Sequence, residues 1–205
     1  MKIHVGMCVY PTVGVHPETV RNIVQFDLES QDRKNDLTLH FPQTFSLSYS
    51  RNIIMKAAVE DDADWVIMWD SDIQVKEKDF FELLLKTAYD KDAVIVGVPC
   101  RLRYGDKIVF NCGTRHADAY ENYTNETCPK EPEEVDAIGT GMMLINLGWV
   151  KKNWPKGPWF HVTYTEAGMF PEDWTFCEEV KQKGGKVIVE PRIKTVHWGM
   201  IGYAT

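Results

Sequence analysis

The residues best suited to chemistry stand at the end of an apolar run, Trp65-Val-Ile-Met-Trp-Asp70-Ser71-Asp72. Side chains alternate along a strand, so an Asp-x-Asp ending points both carboxylates to the same side. At the carboxyl end of a parallel strand that side opens on the crevice where open α/β sheets take their ligands. Two hard oxygen ligands placed there suit Mg²⁺ or Mn²⁺, and such a cation can bridge a nucleotide diphosphate. A structural reading stands beside this one, in which Asp72 only caps a following helix.

Something must hold that strand, and the chain from residue 2 to about 100 alternates strand-length apolar runs with helix-length amphipathic stretches. That alternation predicts a mostly parallel sheet with helical crossovers. The expected strands are Ile3 to Tyr10, Leu37 to Phe41, Trp65 to Trp69 and Ala93 to Val98. Expected helices are Glu18 to Leu28, a stretch capped by Ser48 or Ser50 that runs to Glu60, and Lys78 to Tyr89. Pro11 to Pro17 is a turn-rich break. Periodicity fades from Leu102 to Glu134. Val135 to Leu147 then reads as a Gly-rich strand, Glu172 to Gln182 as a helix closed by Gly184-Gly185, and Lys186 to Val189 as a late strand.

At 205 residues one domain with one substantial core is expected. With 30 acidic against 23 basic side chains the net charge is −7. That charge argues against a surface built to grip bare phosphate backbone, and makes nucleic acid an unexpected partner. An anionic ligand then needs local help, which a bound cation gives. The five cysteines, Cys8, Cys100, Cys112, Cys128 and Cys177, are scattered without a C-x-x-C pair, so neither a zinc ribbon nor a disulfide framework is suggested. No stretch reaches the roughly 18 apolar residues of a membrane span, and the N-terminus lacks a signal-peptide core. A cytoplasmic protein is expected.

Further motifs follow in order: Ser50-Arg51-Asn52 ahead of the Asp-x-Asp strand, Gly139-Thr140-Gly141, Pro171-Glu172-Asp173-Trp174, and Thr195-Val-His197-Trp-Gly. Together they resemble GT-A fold glycosyltransferases of the family 2 type over nearly the full length. The resemblance implies a single-domain, Rossmann-like α/β/α sandwich with a mostly parallel central sheet. It also implies a division into a nucleotide-binding half (1–100) and an acceptor and catalytic half (101–205).

The resemblance implies roles residue by residue. Asp72 would bind the metal directly, Asp70 the donor ribose or the metal, and Ser71 is the variable middle position. His197 would complete the metal site, and an imidazole ligand favours Mn²⁺ over Mg²⁺. Asp173 would be the base that deprotonates the acceptor hydroxyl in an inverting reaction, a task suited to a carboxylate whose pKa burial has lifted. Glu172 would orient the acceptor or a neighbour. Structurally, both acids also suit a helix N-terminus.

Tyr10, ending the first strand, would stack on the nucleotide base, uracil being favoured, or else pack. Arg51 would pair with phosphate or a base carbonyl, or be a surface residue at a helix start. Gly139 and Gly141 would line the donor sugar where missing side chains admit a close approach; a bulge explains them as well. Of the tryptophans in the C-terminal half, one or two would meet the acceptor. The expected activity is metal-dependent transfer from a nucleotide sugar to a hydroxyl-bearing acceptor, carbohydrate or other. Two rivals remain: a sugar-phosphate nucleotidyltransferase, and a non-catalytic carbohydrate-binding protein on the same fold.

Overall fold

The structure is a computed structural model that describes residues 1–10, 13–103, 106–116, 119–166, 168–199 and, for the backbone alone, 203–204. Pro11, where the first turn is expected to begin, lies outside these residues. The chain is a mixed α/β protein built on a seven-stranded sheet. In spatial order its strands are Asp36–His40, Lys2–Gly6, Trp65–Trp69, Met142–Asn146, Ile95–Gly97, Val187–Val189 and Glu133–Glu134. Lys2–Gly6 pairs in parallel with both neighbours, and Ile95–Gly97 pairs in parallel with Val187–Val189. Met142–Asn146 runs antiparallel between Trp65–Trp69 and Ile95–Gly97. The sheet is therefore mostly parallel, with one reversed strand at its centre and a short one at its edge.

Why the sheet sits between two layers follows from the Trp65–Trp69 strand, in which every residue is buried. Val66 and Met68 enter one apolar cluster with Ile54 and Ala58 of α2 (Leu47–Glu60), Leu147 and Val150 of α4 (Leu147–Asn153), and Phe176 and Val180 of α5 (Glu172–Gln182). Trp65, Ile67 and Trp69 enter a second with Ile23 and Phe26 of α1 (Pro17–Asp32) and Phe81 and Leu84 of α3 (Phe80–Lys91). A strand covered on both faces reads as a continuous apolar run rather than an alternating one. No helix among the described residues is long and apolar enough to cross a membrane, and all five cysteines are buried and free of disulfides.

Three expectations are corrected. α2 is capped by Ser46, whose side chain accepts from the Tyr49 amide; Ser48 and Ser50 lie inside the helix. Asp72 caps nothing, because the chain goes on as the strand Ile73–Val75 and α3 begins only after Asp79. The supposed strand from Val135 to Leu147 is divided: Ala137–Ile138 pairs with the strand Val109–His116 in a separate sheet, and Met142–Asn146 belongs to the central one. Gly139-Thr140-Gly141 is the crossing between the two sheets. The stretch of faded periodicity contains the hairpin Val109–His116 with Ala119–Thr124, and both of its strands are only partly buried.

Candidate active site

Each element ends where the cleft begins. The central sheet delivers Asp70 one residue past Trp69, and the Asp70 amide donates to the Gly141 carbonyl at 3.0 Å, so the crossing segment and the Asp-x-Asp turn are one unit. The three-residue strand Thr195–His197 pairs antiparallel with Ile73–Val75, placing His197 opposite Ile73 and beside Asp72. α5 starts at Glu172 directly after Pro171, so both acids sit in its first turn, where the helix dipole favours them. A cavity of about 240 Å³ brings the parts together, with Arg51, Asp70, Gly139, Glu172, Asp173 and His197 among its walls. Gly141 lines it too. Asp72 is not among its walls and lies 3.5 Å from His197 Nε2.

Arg51 is the electrostatic centre. It is 4% exposed, bonds the Glu172 carboxylate, and approaches Asp70 Oδ1 at 3.5 Å. It is therefore not a surface residue, and two of its nitrogens face carboxylates. Burial alone would weaken its charge, but Asp70, Asp173 and Glu172 hold it protonated. Asp70 is pushed upward by burial against the pull of Arg51. Burial also raises Asp173, to about 6, with Arg51 opposing and Glu172 adding to the shift. Its Oδ1 accepts from the Trp174 amide at 2.9 Å and its Oδ2 from the Thr140 amide at 3.4 Å. The carboxylate is thus fixed by two backbone donors and has a pKa suited to taking a proton near neutral pH.

Asp72 and His197 form the other half. His197 Nδ1 lies 2.8 Å from the Arg101 carbonyl, so that nitrogen donates, and Nε2 lies 3.5 Å from Asp72 Oδ2. An imidazole oriented through its far nitrogen is the usual arrangement of a metal-binding histidine. A proton or a cation between Nε2 and that carboxylate oxygen is attractive to both. Among the described residues no cluster of three or more His, Cys, Asp or Glu converges as a ready-made ligand set. Asp72 is drawn instead to Arg103 at 2.9 Å. Burial would raise the Asp72 carboxyl, but His197 and Arg103 hold it below the usual range.

The remaining candidates divide. Tyr10, 38% exposed, lies beyond the first strand, which ends at Gly6 and not at Tyr10 as expected, and is not among the cleft's walls; burial raises its hydroxyl pKa against the pull of Arg51. Ser71 contributes its carbonyl, which accepts from the His16 amide at 2.8 Å and ties the start of α1 to the Asp-x-Asp turn. A side chain fills the space the glycines leave: a Cβ on Gly139 would come within 2.7 Å of Asn111 Nδ2, and one on Gly141 within 2.9 Å of Cys100 Sγ. Of the tryptophans, Trp174 lines a second cavity, Trp159 is core, and Trp198 stacks on His16 with ring centroids 4.5 Å apart.

Sequence reasoning missed Asn111, Arg103 and Tyr120. Asn111 and Tyr120 lie on the hairpin with faded periodicity, and Arg103 just precedes it, so nothing local marks any of them. Asn111 Oδ1 accepts from the Cys100 amide at 2.8 Å, and its side chain stands in the walls of both the first cavity and the second.

No family model matches the chain, and no curated protein matches it by sequence. Among solved structures, A197 from STIV aligns over 97% of this chain and 86% of its own with a TM-score of 0.64 and 16% identity. The two share a fold. A glycosyltransferase involved in the glycosylation of the major capsid of PBCV-1 aligns over 93% of this chain and 82% of its own, with a TM-score of 0.49 and 15% identity. UDP-glucose pyrophosphorylase from Acinetobacter baumannii aligns over 87% of this chain and 62% of its own, with a TM-score of 0.47 and 12% identity. Likeness at these last two levels transfers no activity.

Proposed function

We propose that the chain is a GT-A-type glycosyltransferase that moves a sugar from a nucleotide-diphosphate donor, UDP-sugar first, to an acceptor hydroxyl. One observation carries the reading: carboxylates from a strand end and from a helix start, distant in sequence, line one cleft around a buried arginine, and Asp173 has a pKa of about 6. Asp173 takes the proton of the attacking hydroxyl. The new bond forms from that oxygen to the anomeric carbon, and the bond from that carbon to the diphosphate oxygen breaks with its electron pair. Attack from the face opposite the leaving group inverts configuration. Arg51 holds Glu172 in place through their ion pair and so fixes the first turn of α5, which carries Asp173. Asp72, His197 and Asp70 would hold Mn²⁺ or Mg²⁺, whose charge would offset that of the departing diphosphate.

Calorimetry with UDP-, GDP-, dTDP- and CMP-sugars, with Mn²⁺, Mg²⁺ or EDTA, tests this on the wild type and on Asp72→Ala. The expected result is one nucleotide sugar that binds with metal and is lost with Asp72→Ala. No binding under any condition refutes the reading, and consumption of added pyrophosphate, with formation of a nucleoside triphosphate and a sugar 1-phosphate, would favour a nucleotidyltransferase.

A further inference from the structure

Asp173 stands in the wall between two spaces. Beyond the first cleft lies a second cavity of about 460 Å³, which shares Leu102, Asn111, Pro171 and Asp173 with it. That volume is in the roughly 300–1,000 Å³ range of small-molecule sites. We infer that this second cavity is the acceptor site, and that it takes an uncharged saccharide; the inference rests on the transferase reading.

Three features identify the class. Aromatic rings form one side: Tyr120 meets Trp174 edge-on with centroids 4.5 Å apart and Phe170 with centroids 5.3 Å apart. Such rings give the apolar C–H face of a pyranose a surface to lie on while its hydroxyls stay free for hydrogen bonds. Two carboxamides supply complementary polar groups. Asn111 spends its oxygen on the Cys100 amide and leaves its NH₂ to donate. Asn122 spends its NH₂ on the Phe110 carbonyl at 2.7 Å and leaves its oxygen to accept. A hydroxyl both donates and accepts, so a polyhydroxylated ring can satisfy both.

The third feature is charge. Among the described residues lining the cavity no lysine or arginine is present, and the one charged group is Asp173. A phosphate or carboxylate on the ligand would be desolvated there without a cation and beside a like charge. The cavity discriminates against phosphopolyols, uronic acids and sialic acids in favour of neutral sugars.

The test is saturation-transfer NMR and titration of the full chain with neutral methyl hexosides, the matching uronic acids and 6-phosphates, and an acetylated Ser/Thr peptide amide. Neutral glycosides are expected to bind at least tenfold tighter than their anionic counterparts. Tyr120→Leu and, separately, Asn122→Ala should weaken that binding by about fivefold, as loss of one contact implies. Equal or preferential binding of an anionic sugar or the peptide overturns the inference, as does binding that both variants leave unchanged or no binding at all. Donor binding is read in a separate titration. Failure there with neutral glycosides still bound removes the transferase reading and leaves the saccharide site standing.

Discussion

Replacing Asp173 with Asn should both slow transfer severely and make the protein more stable at neutral pH than in acid, relative to wild type. The carboxyl titrates near 3.8 when unfolded and at about 6 in the native cleft. Below the unfolded value both states carry the proton and the group contributes nothing. As pH rises through that value the unfolded chain loses its proton while the native one keeps it, so stability falls, and above about 6 the cost is constant. About two pKa units at 1.36 kcal/mol each give a pH-dependent cost of about 3 kcal/mol. Asn cannot serve both the Trp174 and Thr140 amides as Asp173 does, a loss of about 1–2 kcal/mol that does not vary with pH. Asp173→Asn should therefore be less stable than wild type at pH 4 and more stable at pH 8.

Urea unfolding of both proteins across that range measures the swing, which for a chain of this size corresponds to about 6–12 °C in Tm. His4, which burial holds neutral down to about pH 4, destabilises both proteins in acid and cancels in the comparison. A stability difference flat to within about 0.5 kcal/mol would refute the argument, since a carboxyl without a raised pKa is not the proposed base.

Four more outcomes are expected. Wild-type turnover should fall on the acid side with an apparent pKa of about 6, and Asp173→Asn should lower kcat by about 10²–10⁴. Arg51→Met should cost about 3–5 kcal/mol in urea unfolding, because it leaves Glu172 and Asp70 buried without their cation, and should move the acid limb of any remaining activity upward. Arg103→Ala frees Asp72 from a 2.9 Å ion pair and should tighten Mn²⁺ binding in calorimetry, whereas unchanged affinity would mean that Asp72 is not a ligand. Gly139→Ala should destabilise by pushing a methyl against Asn111 Nδ2, and adding Asn111→Ala should restore part of that loss in a double-mutant cycle.

The α/β alternation, the exact extent of the Trp65–Trp69 strand and of the Glu172–Gln182 helix, and the carboxylates at their ends were legible because each rests on local physics. A doubly covered strand is apolar throughout, and a helix that starts after Pro171 with two acids announces its own N-terminus. The pairing of Met142–Asn146 between two strands that run the other way was not legible, because a reversed central strand has the same apolar pattern as a parallel one. Nor was the role of Gly139 and Gly141, whose space is filled by side chains of the strand Val109–His116 and its neighbourhood. Sequence alone determined which residues carry charge at element ends. Only the tertiary structure decided that Arg51 is buried among those charges, that Asn111 stands between two cavities, and that Asp173 titrates near 6, because burial and opposing charge depend on contacts between segments far apart in the chain.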